Sequence, residues 1–221
     1  FLSSKGVTTD TRTCDDGLIF FALKGERFNG NSFALQALEK GCSYAVIDEA
    51  EYYDSANSQL ILVDNVLLTL QALARYHREQ LGTPLIGITG TNGKTTTKEL
   101  IATVMNSKYN THYTKGNLNN SIGVPLTLLQ LKPEHEYAII EMGASHPGDI
   151  EELVNICLPN YGLITNVGKA HLLGFGSFEG VIKTKGELYD FIRSNGGHIF
   201  INGNNSYLLN IADGIENTRY G

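Results

Sequence analysis

Residues 85–100 read LIGITGTNGKTTTKEL, and this stretch decides how the chain folds. Its first half is apolar and contains β-branched residues, which predicts a buried strand. Gly90 and Gly93 then allow a tight turn, and residues 94–105 have the composition of a helix. Three apolar side chains are spaced for one face of that helix: Leu100, Ile101 and Val104. The sequence therefore predicts a strand, a glycine loop and a helix in direct succession.

The glycine loop also predicts an anion site. Glycine lets the backbone approach a ligand and turn its N–H groups inward, and the start of a helix adds the positive end of its dipole. Lys94 can reach the outer phosphates of a nucleotide, and the hydroxyl of Thr95 is suited to ligate Mg²⁺. The strict phosphate-loop pattern requires glycine five places before Gly93, where Ile88 stands. Binding of a nucleoside triphosphate is the stronger interpretation, and a tight turn before a buried helix is the alternative.

Composition limits the class of protein. A chain of 221 residues with 42% hydrophobic content can form one large or two ordinary domains with a real core. The net charge of -6 offers no electrostatic footprint for nucleic acid or an anionic membrane. The longest apolar runs are too short to span a bilayer, and no charged and apolar leader opens the chain at Phe1. We expect a monomeric cytoplasmic protein, and the widely separated Cys14, Cys42 and Cys157 fit reduced thiols.

Residues 1–82 are predicted to form a small amino-terminal α/β domain. Its expected strands are 18–23, 44–47 and 60–63, and its expected helices are 32–40 and 65–80. Residues 25–31 form a loop rich in Gly and Asn. His77, on the second helix, is expected to be a partly buried surface histidine rather than a ligand. Thr83 and Pro84 mark the boundary, because proline ends the helix and the next strand begins a new sheet.

Residues 83–221 alternate between strands and helices. After the glycine loop the expected elements are 109–113, 122–131, 137–140, 149–157, 162–166, 178–192 and 198–201. This alternation predicts a mostly parallel sheet flanked by helices. Ligands of such sheets lie at the carboxyl ends of the strands, so candidate site residues should follow the strands.

Two strand ends carry such candidates. Glu141 follows the strand at 137–140, where a carboxylate can ligate Mg²⁺ or position water opposite the phosphate loop. The alternative is a carboxylate that caps the helix beginning at Asp149. His171 lies in the loop after the strand at 162–166, and structural and functional roles stay equally open for it.

Two polar segments complete the candidate site. Residues 114–125 contain three asparagines in four residues, Asn117, Asn119 and Asn120, which offer many amide donors and acceptors. They predict recognition of a polar, oxygen-rich substrate, or else a simple Asn-rich turn. Near the start of the chain, Asp10 and Arg12 could hold a diphosphate or a sugar, and the alternative is a surface ion pair worth little.

In combination these motifs resemble the Mur ligases, the cytoplasmic ATP-dependent enzymes that form amide bonds in peptidoglycan synthesis. The matching segments are TGTNGKTT at 89–96, GNLNN at 116–120, EMG at 141–143, residues 166–171 and KGEL at 185–188. Residues 116–129 and 171–177 are most similar to the members that add D-alanyl-D-alanine to UDP-N-acetylmuramoyl-tripeptide. The resemblance implies a UDP-substrate-binding domain at 1–82 and a central ATP-binding domain at 83–221.

The resemblance also implies roles for single residues. ATP would be bound by Gly90, Thr91, Asn92, Gly93, Lys94, Thr95 and Thr96. Thr95 and Glu141 would hold Mg²⁺, and His171 would contact a second Mg²⁺. Lys185 would be carbamylated and would bind that second metal, although without the resemblance it is interpreted as a solvated helix position. Catalytic roles are implied for Lys94, His171 and Lys185.

The implied substrate contacts come from two segments. Asn117, Asn119 and Asn120 would line the muramoyl-peptide side. Residues 9–12 match the uridine-nucleotide segment of the family, with Thr11 in place of the usual serine and Arg12 retained. No role is implied for Lys169.

Family members carry a third, carboxy-terminal domain, whereas this sequence ends at Gly221. We therefore expect the 221-residue chain to bind nucleotide weakly and not to ligate by itself. Three alternatives stay open. The first is a related ligase that adds glutamate to folate, adds another amino acid to the muramoyl peptide or builds a poly-amino-acid. The others are a regulatory phosphate-loop switch and a non-catalytic fused half of a ligase.

Overall fold

The structure, a computed structural model, describes residue 1 and residues 3–168 and 172–221. The described chain forms two compact units, residues 1–73 and residues 74–221. Their division falls within one helix, Val66–Leu81, and the predicted boundary after residue 82 follows the end of that helix.

The first unit is a small parallel sheet with short helices. Its elements are β1 (Gly6–Thr8), β2 (Leu18–Phe21), β3 (Lys24–Gly25), β4 (Phe28–Asn29), α1 (Ala34–Glu39), β5 (Tyr44–Ile47), β6 (Leu60–Leu62) and the first part of α2 (Val66–Leu81). The main sheet has the order β1-β2-β5-β6 with parallel neighbours, and β3 and β4 form a separate antiparallel pair. The expected helix at 32–40 is shorter than predicted, because Gly30–Phe33 forms a 3-10 turn before α1.

The second unit contains the sheet that the glycine loop predicts. Its elements are β7 (Leu85–Thr89), α3 (Lys94–Met105), β8 (Thr111–Tyr113), α4 (Gly123–Leu128), β9 (Tyr137–Glu141), α5 (Asp149–Cys157), β10 (Tyr161–Ile164), α6 (Leu172–Phe175), α7 (Phe178–Ser194), β11 (His198–Asn202), α8 (Ser206–Ile211) and β12 (Glu216–Tyr220). The strand order is β12-β11-β10-β7-β9-β8, and each neighbouring pair is parallel. The predicted α/β fold class is confirmed.

The central position of β7 explains its composition. Each of its five residues is buried, because strands on both sides and helices on both faces cover it. A strand buried on both faces is expected to be a continuous apolar run, as residues 85–88 nearly are. The carboxyl ends of β7, β9 and β10 consequently lie side by side at one edge of the sheet.

The predicted apolar face of α3 is wrong. Leu100 and Val104 are 64% and 71% exposed, whereas Lys98 and Ala102 are buried. The helix packs on the sheet through Ala102, with Ile101 partly buried beside it. The buried face of α3 therefore differs from the predicted one. It consists of Ala102, whose small side chain lets the helix approach the strands, and of Lys98, one turn earlier.

His77, on α2, is buried, and its Nε2 lies 2.8 Å from the backbone oxygen of Leu131. Among the described residues no helix is both long and apolar enough to cross a bilayer.

Candidate functional site

The glycine loop between β7 and α3 has the backbone that the sequence predicts. Gly90 has a φ of +141°, and a Cβ atom there would lie 2.0 Å from Thr165 Oγ1. Gly93 has a φ of +77° and precedes the first turn of α3. The Lys94 ammonium folds back over the loop and donates to the carbonyls of Gly90 (2.8 Å) and Thr91 (3.2 Å). Because both φ angles are positive, any residue larger than glycine would be strained at positions 90 and 93.

The segment that follows β10 holds the glycine loop in place through hydrogen bonds. The Asn92 N–H donates to Asn166 Oδ1 (3.1 Å), and the Asn92 carbonyl accepts from Asn166 Nδ2 (3.0 Å) and Thr165 Oγ1 (2.7 Å). The Thr91 hydroxyl accepts from the Gly168 N–H at 2.9 Å. Thr91 and Asn92 are therefore held by the next strand end, while Thr95 and Thr96 stay exposed in the first turn of α3.

Glu141, the last residue of β9, lies next to the loop. Its side chain is buried, and its Oε1 accepts from Thr95 Oγ1 at 3.1 Å and from Asn119 Nδ2 at 2.9 Å. The Glu141 backbone N–H donates to Thr114 Oγ1 at 3.0 Å, which fixes the strand end beneath the carboxylate. Three predicted site residues from separate segments therefore meet at one carboxylate oxygen.

The charge of Glu141 also acts on Lys94. Partial burial lowers the pKa of the Lys94 ammonium, and the nearby Glu141 carboxylate opposes that shift by favouring the charged form. Lysine and carboxylate thus face the same region beside the loop.

The asparagine run has divided functions. Asn119 reaches Glu141, and its backbone carbonyl accepts from the Gly143 N–H at 2.7 Å. Asn120 Oδ1 instead accepts from the N–H groups of Ile122 (3.1 Å) and Gly123 (2.8 Å), which holds the start of α4. Asn117 takes part through its backbone carbonyl, which accepts from the Asn119 N–H at 2.8 Å.

A cavity of about 370 Å³ opens beside the run. Its polar lining comes from Asn119, Asn120, Ser121, Ser145, Asp149 and Glu152, and Gly143, Ala144 and Leu153 complete the wall. The cavity is large enough for part of a polar substrate beside Asn119, whose amide donates to Glu141.

Lys185, on α7, is buried, so its interpretation as a solvated helix position is wrong. Only 2% of it is exposed, and its ammonium lies 3.5 Å from the Ala144 carbonyl and 5.3 Å from the Phe175 ring centre. Burial, and after it the charge of Lys94, lowers the pKa of Lys185 to about 8, and the charges of Asp149 and Glu187 partly oppose that shift. About a tenth of this amine is therefore neutral at pH 7, far more than of an ordinary lysine.

The oxygen donors at Glu141 fit Mg²⁺. The Thr95 hydroxyl and the Glu141 carboxylate are hard ligands, and Mg²⁺ in nucleotide sites is held by one or two such side chains together with phosphates and water. The second carboxylate oxygen, Oε2, is buried without a hydrogen-bond partner in the described part of the chain. His171 and Lys169 lie outside the described residues, so the structure does not address the predicted metal contact of His171.

The remaining predicted residues lie in the first unit. Arg12 and Asp10 form an exposed ion pair, with Nε 3.0 Å from each carboxylate oxygen. The hydrogen bond from Arg12 lowers the pKa of Asp10 to about 2. The backbone carbonyl of Thr11 accepts from the ammonium of Lys40 at 2.8 Å.

Sequence reasoning missed one charged neighbour of the site. Lys98 is fully buried, and its ammonium lies 3.6 Å from Glu141 Oε2. Its spacing of four residues from Lys94 could have indicated this position, because residues four apart share a helix face.

The fold and the loop define the second unit as a phosphate-loop α/β domain with an acidic residue on the neighbouring strand end.

Comparison with protein-family models identifies the family. The model described as "Mur ligase middle domain" matches residues 88–221, and the model described as "Mur ligase family, catalytic domain" matches residues 3–78. The chain belongs to the Mur ligase family, which confirms the resemblance seen in its motifs.

Relatives and solved structures agree with this assignment. The chain is 41% identical over 216 residues to the UDP-N-acetylmuramoyl-tripeptide--D-alanyl-D-alanine ligase of Bacillus subtilis, covering 98% of this chain and 47% of that protein. The Escherichia coli ligase of the same name is 44% identical over 202 residues, covering 91% and 44%.

Two crystal structures match the fold. MurF from Acinetobacter baumannii has a TM-score of 0.89 at 36% identity, covering 97% of this chain and 48% of that one. MurF from Thermotoga maritima in complex with ADP has a TM-score of 0.90 at 29% identity, covering 100% and 51%. The chain spans about half the length of these relatives.

Proposed function

We propose that this chain supplies the UDP-substrate-binding and ATP-binding parts of a ligase that joins D-alanyl-D-alanine to UDP-N-acetylmuramoyl-tripeptide. The observation that carries the proposal is the meeting of Thr95, Asn119 and Glu141 beside the glycine loop. The names of the Bacillus subtilis and Escherichia coli relatives support the choice of substrates. We assign the protein to the cytoplasm, where these substrates are made into peptidoglycan precursors, and propose that it acts as a monomer.

Within this proposal, residues 83–221 bind ATP. The phosphates would lie along residues 90–96, where loop N–H groups, the start of α3 and the Lys94 ammonium favour negative charge. Thr95 and Glu141 would hold Mg²⁺, which neutralises phosphate charge when bound. The ADP complex of the Thermotoga maritima relative supports nucleotide binding by this fold.

The reaction requires two displacements. A carboxylate oxygen of the UDP-linked peptide attacks the γ-phosphorus of ATP, and the bond from that phosphorus to ADP breaks. Lys94 balances the charge that spreads over the transferred phosphoryl group. The amine of D-alanyl-D-alanine then attacks the acyl carbon, phosphate leaves, and the amine loses a proton as the amide forms.

Lys185 would enter this chemistry as a carbamate. Its neutral amine can attack CO₂, forming an N–C bond and releasing a proton, and the product is a carboxylate suited to a second Mg²⁺ with His171. The burial of Lys185 and the lowered pKa of its amine support this role, because the neutral form is the nucleophile.

The substrate contacts follow the two polar segments. Asn117, Asn119 and Asn120 are proposed to line the muramoyl-peptide side, with the 370 Å³ cavity beside Asn119 and Asn120 as supporting geometry. Thr11 and Arg12, within residues 1–82, are proposed to bind the uridine nucleotide.

A chimera provides the test. The 221 residues replace the matching part of the Bacillus subtilis relative, and amide product, ADP and phosphate are measured with and without each substrate. We expect amide formation that requires UDP-N-acetylmuramoyl-tripeptide and D-alanyl-D-alanine, whereas the 221-residue chain alone yields none.

ATP hydrolysis that is independent of both acceptors would contradict the ligase proposal and favour a regulatory switch. Amide formation with a different amino acid or with a folate substrate would instead identify a related ligase on the same scaffold.

A further inference from the structure

Lys98 stands out among the charged residues of the second unit, because its side chain is fully buried and Ala102 is the other buried residue of α3. A buried ammonium is destabilising unless a partner compensates it, and an apolar side chain of similar length would fill the same space without that cost. The position of its partners therefore indicates what the charge does.

Two carboxylates lie near the ammonium. Glu99 Oε1 is 3.1 Å away, and Glu141 Oε2 is 3.6 Å away. The side chain of Glu99 is half-exposed, so water and salt weaken its attraction, whereas only 2% of the Glu141 side chain is exposed. Glu141 is thus the partner whose charge Lys98 meets in a low-dielectric environment.

The two oxygens of Glu141 have different neighbours. Oε1 accepts hydrogen bonds from Thr95 and Asn119, on the side of the glycine loop. Oε2 faces Lys98, and neither Oε2 nor the Lys98 ammonium has a hydrogen-bond partner among the described residues. Among the described residues the Lys98 ammonium is therefore the charged group that attracts Oε2, while the ammonium itself also lies near Glu99.

We propose that Lys98 is a positioning residue of the nucleotide site. Its buried ammonium attracts Glu141 Oε2 toward α3, which fixes the rotation of the carboxylate and presents Oε1 beside Thr95 to a divalent cation. The inference rests on the proposed role of Glu141 as a ligand of Mg²⁺. Residues that orient a metal ligand from behind commonly change metal affinity when they are replaced, without contacting the metal.

The first test measures ADP binding by calorimetry with and without Mg²⁺, in the wild-type chain and in Lys98→Met. Mg²⁺ increases the affinity for ADP in the proposed site, and we expect this increase to be about tenfold smaller in the variant than in the wild-type chain. Its affinity for ADP without the metal should stay within about twofold, because Lys98 does not reach the glycine loop. Lys108→Met is the matched control, since it removes an exposed lysine just after the same helix, and should leave both affinities unchanged.

A double-mutant cycle separates positioning from general damage. In a Glu141→Gln background, Lys98→Met should cause no further loss of the gain from Mg²⁺, because the carboxylate that it orients is already gone. An equal loss in both backgrounds would overturn the proposal. Tighter binding of Mg²⁺ in Lys98→Met would also overturn it, because the ammonium would then act as a competing cation.

Two further results distinguish failure of the proposed function from failure of the role of Lys98. If the folded wild-type chain gains no ADP affinity from Mg²⁺, the proposed function itself fails, whereas failure of the cycle alone removes only the role of Lys98. If Lys98→Met does not fold, judged by circular dichroism, the wild-type chain is crystallised with ADP and Mn²⁺. A Lys98–Glu141 separation that stays within about 4 Å supports the role, and an ammonium turned away from Glu141 overturns it.

Discussion

Two groups of predicted site residues behave differently in the two units. The strand-end cluster, formed by Lys94, Thr95, Asn119, Glu141 and Lys185, contains buried charges whose partners lie on other elements. The Asp10–Arg12 pair is exposed, and its two members satisfy each other within three residues of sequence.

The two arrangements differ in how strongly the fold constrains their charges. An exposed ion pair contributes little to stability and can exchange its partner for a ligand at small cost. A buried charge is held in place by the fold even where this opposes stability, so its environment is specific to a task. The strand-end cluster is therefore the region in which single changes should have large effects.

Lys185→Met should give the largest effect on stability and should be stabilising. In the folded chain the pKa of Lys185 is about 8, against 10.5 for a free lysine, so the folded state binds protons less readily than the unfolded state. The variant should raise the free energy of unfolding by up to about 3 kcal/mol below pH 8.

The advantage of Lys185→Met should shrink as the pH rises from about 8 to 10.5, because the unfolded lysine then loses its proton as well. Urea unfolding at pH 7 and pH 10 measures both values, with Lys183→Met, exposed on the same helix, as the control. A destabilised variant at pH 7 would contradict the cost that burial of this charge implies.

Lys94→Met should nearly abolish nucleotide binding. The ammonium is the cation beside the loop, and loss of its charged hydrogen bonds to phosphate should weaken ADP binding about 100-fold. Calorimetry in the presence of Mg²⁺ measures the loss, and Lys132→Met removes an exposed lysine of the same unit as a control. Unchanged affinity would mean that the phosphates bind elsewhere.

Asn119→Ala should have an intermediate effect. It removes the amide that donates to Glu141 Oε1, and we expect about tenfold weaker Mg²⁺-dependent binding of ADP. Asn155→Ala is the control, because that exposed amide donates to a carbonyl of its own helix, α5. Equal effects of the two variants would show that Asn119 acts only through stability.

Arg12→Ala should have the smallest effect on stability. The pair is exposed, and the low pKa of Asp10, about 2, means that only strongly acidic solution would break it by protonation. The urea midpoint should not change at neutral pH, whereas binding of UDP-N-acetylmuramoyl-tripeptide should weaken. A shifted midpoint with unchanged substrate affinity would reverse the distinction between the two regions.

Much of the fold follows from local sequence. The apolar run at 85–88 and the two glycines predict β7 and its loop, and alternation of strands and helices predicts the parallel sheet. Glu141 could be found because a carboxylate at the end of a buried strand has few structural reasons to be there.

Other features depend on packing that periodicity does not contain. Leu100 and Val104 have helical spacing, yet α3 packs through Ala102, so the apolar pattern alone gives the wrong face. Lysine is a residue type typical of the surface, so the sequence around Lys185 does not predict its burial. The burial arises from segments such as those of Ala144 and Phe175 that fold against α7. The hydrogen bonds that Asn120 Oδ1 accepts at the start of α4 likewise depend on the local turn geometry, which the run of asparagines does not predict.

The central claim is that the ends of β7 and β9 form one site for a nucleotide and its metal. A crystal structure of the chain with a non-hydrolysable ATP analogue and Mn²⁺, with the anomalous signal of manganese, tests it most directly. We predict phosphates along residues 90–96 and a manganese peak about 2 Å from oxygens of Thr95 and Glu141. A nucleotide bound away from the loop, or a metal that contacts neither residue, would contradict the account.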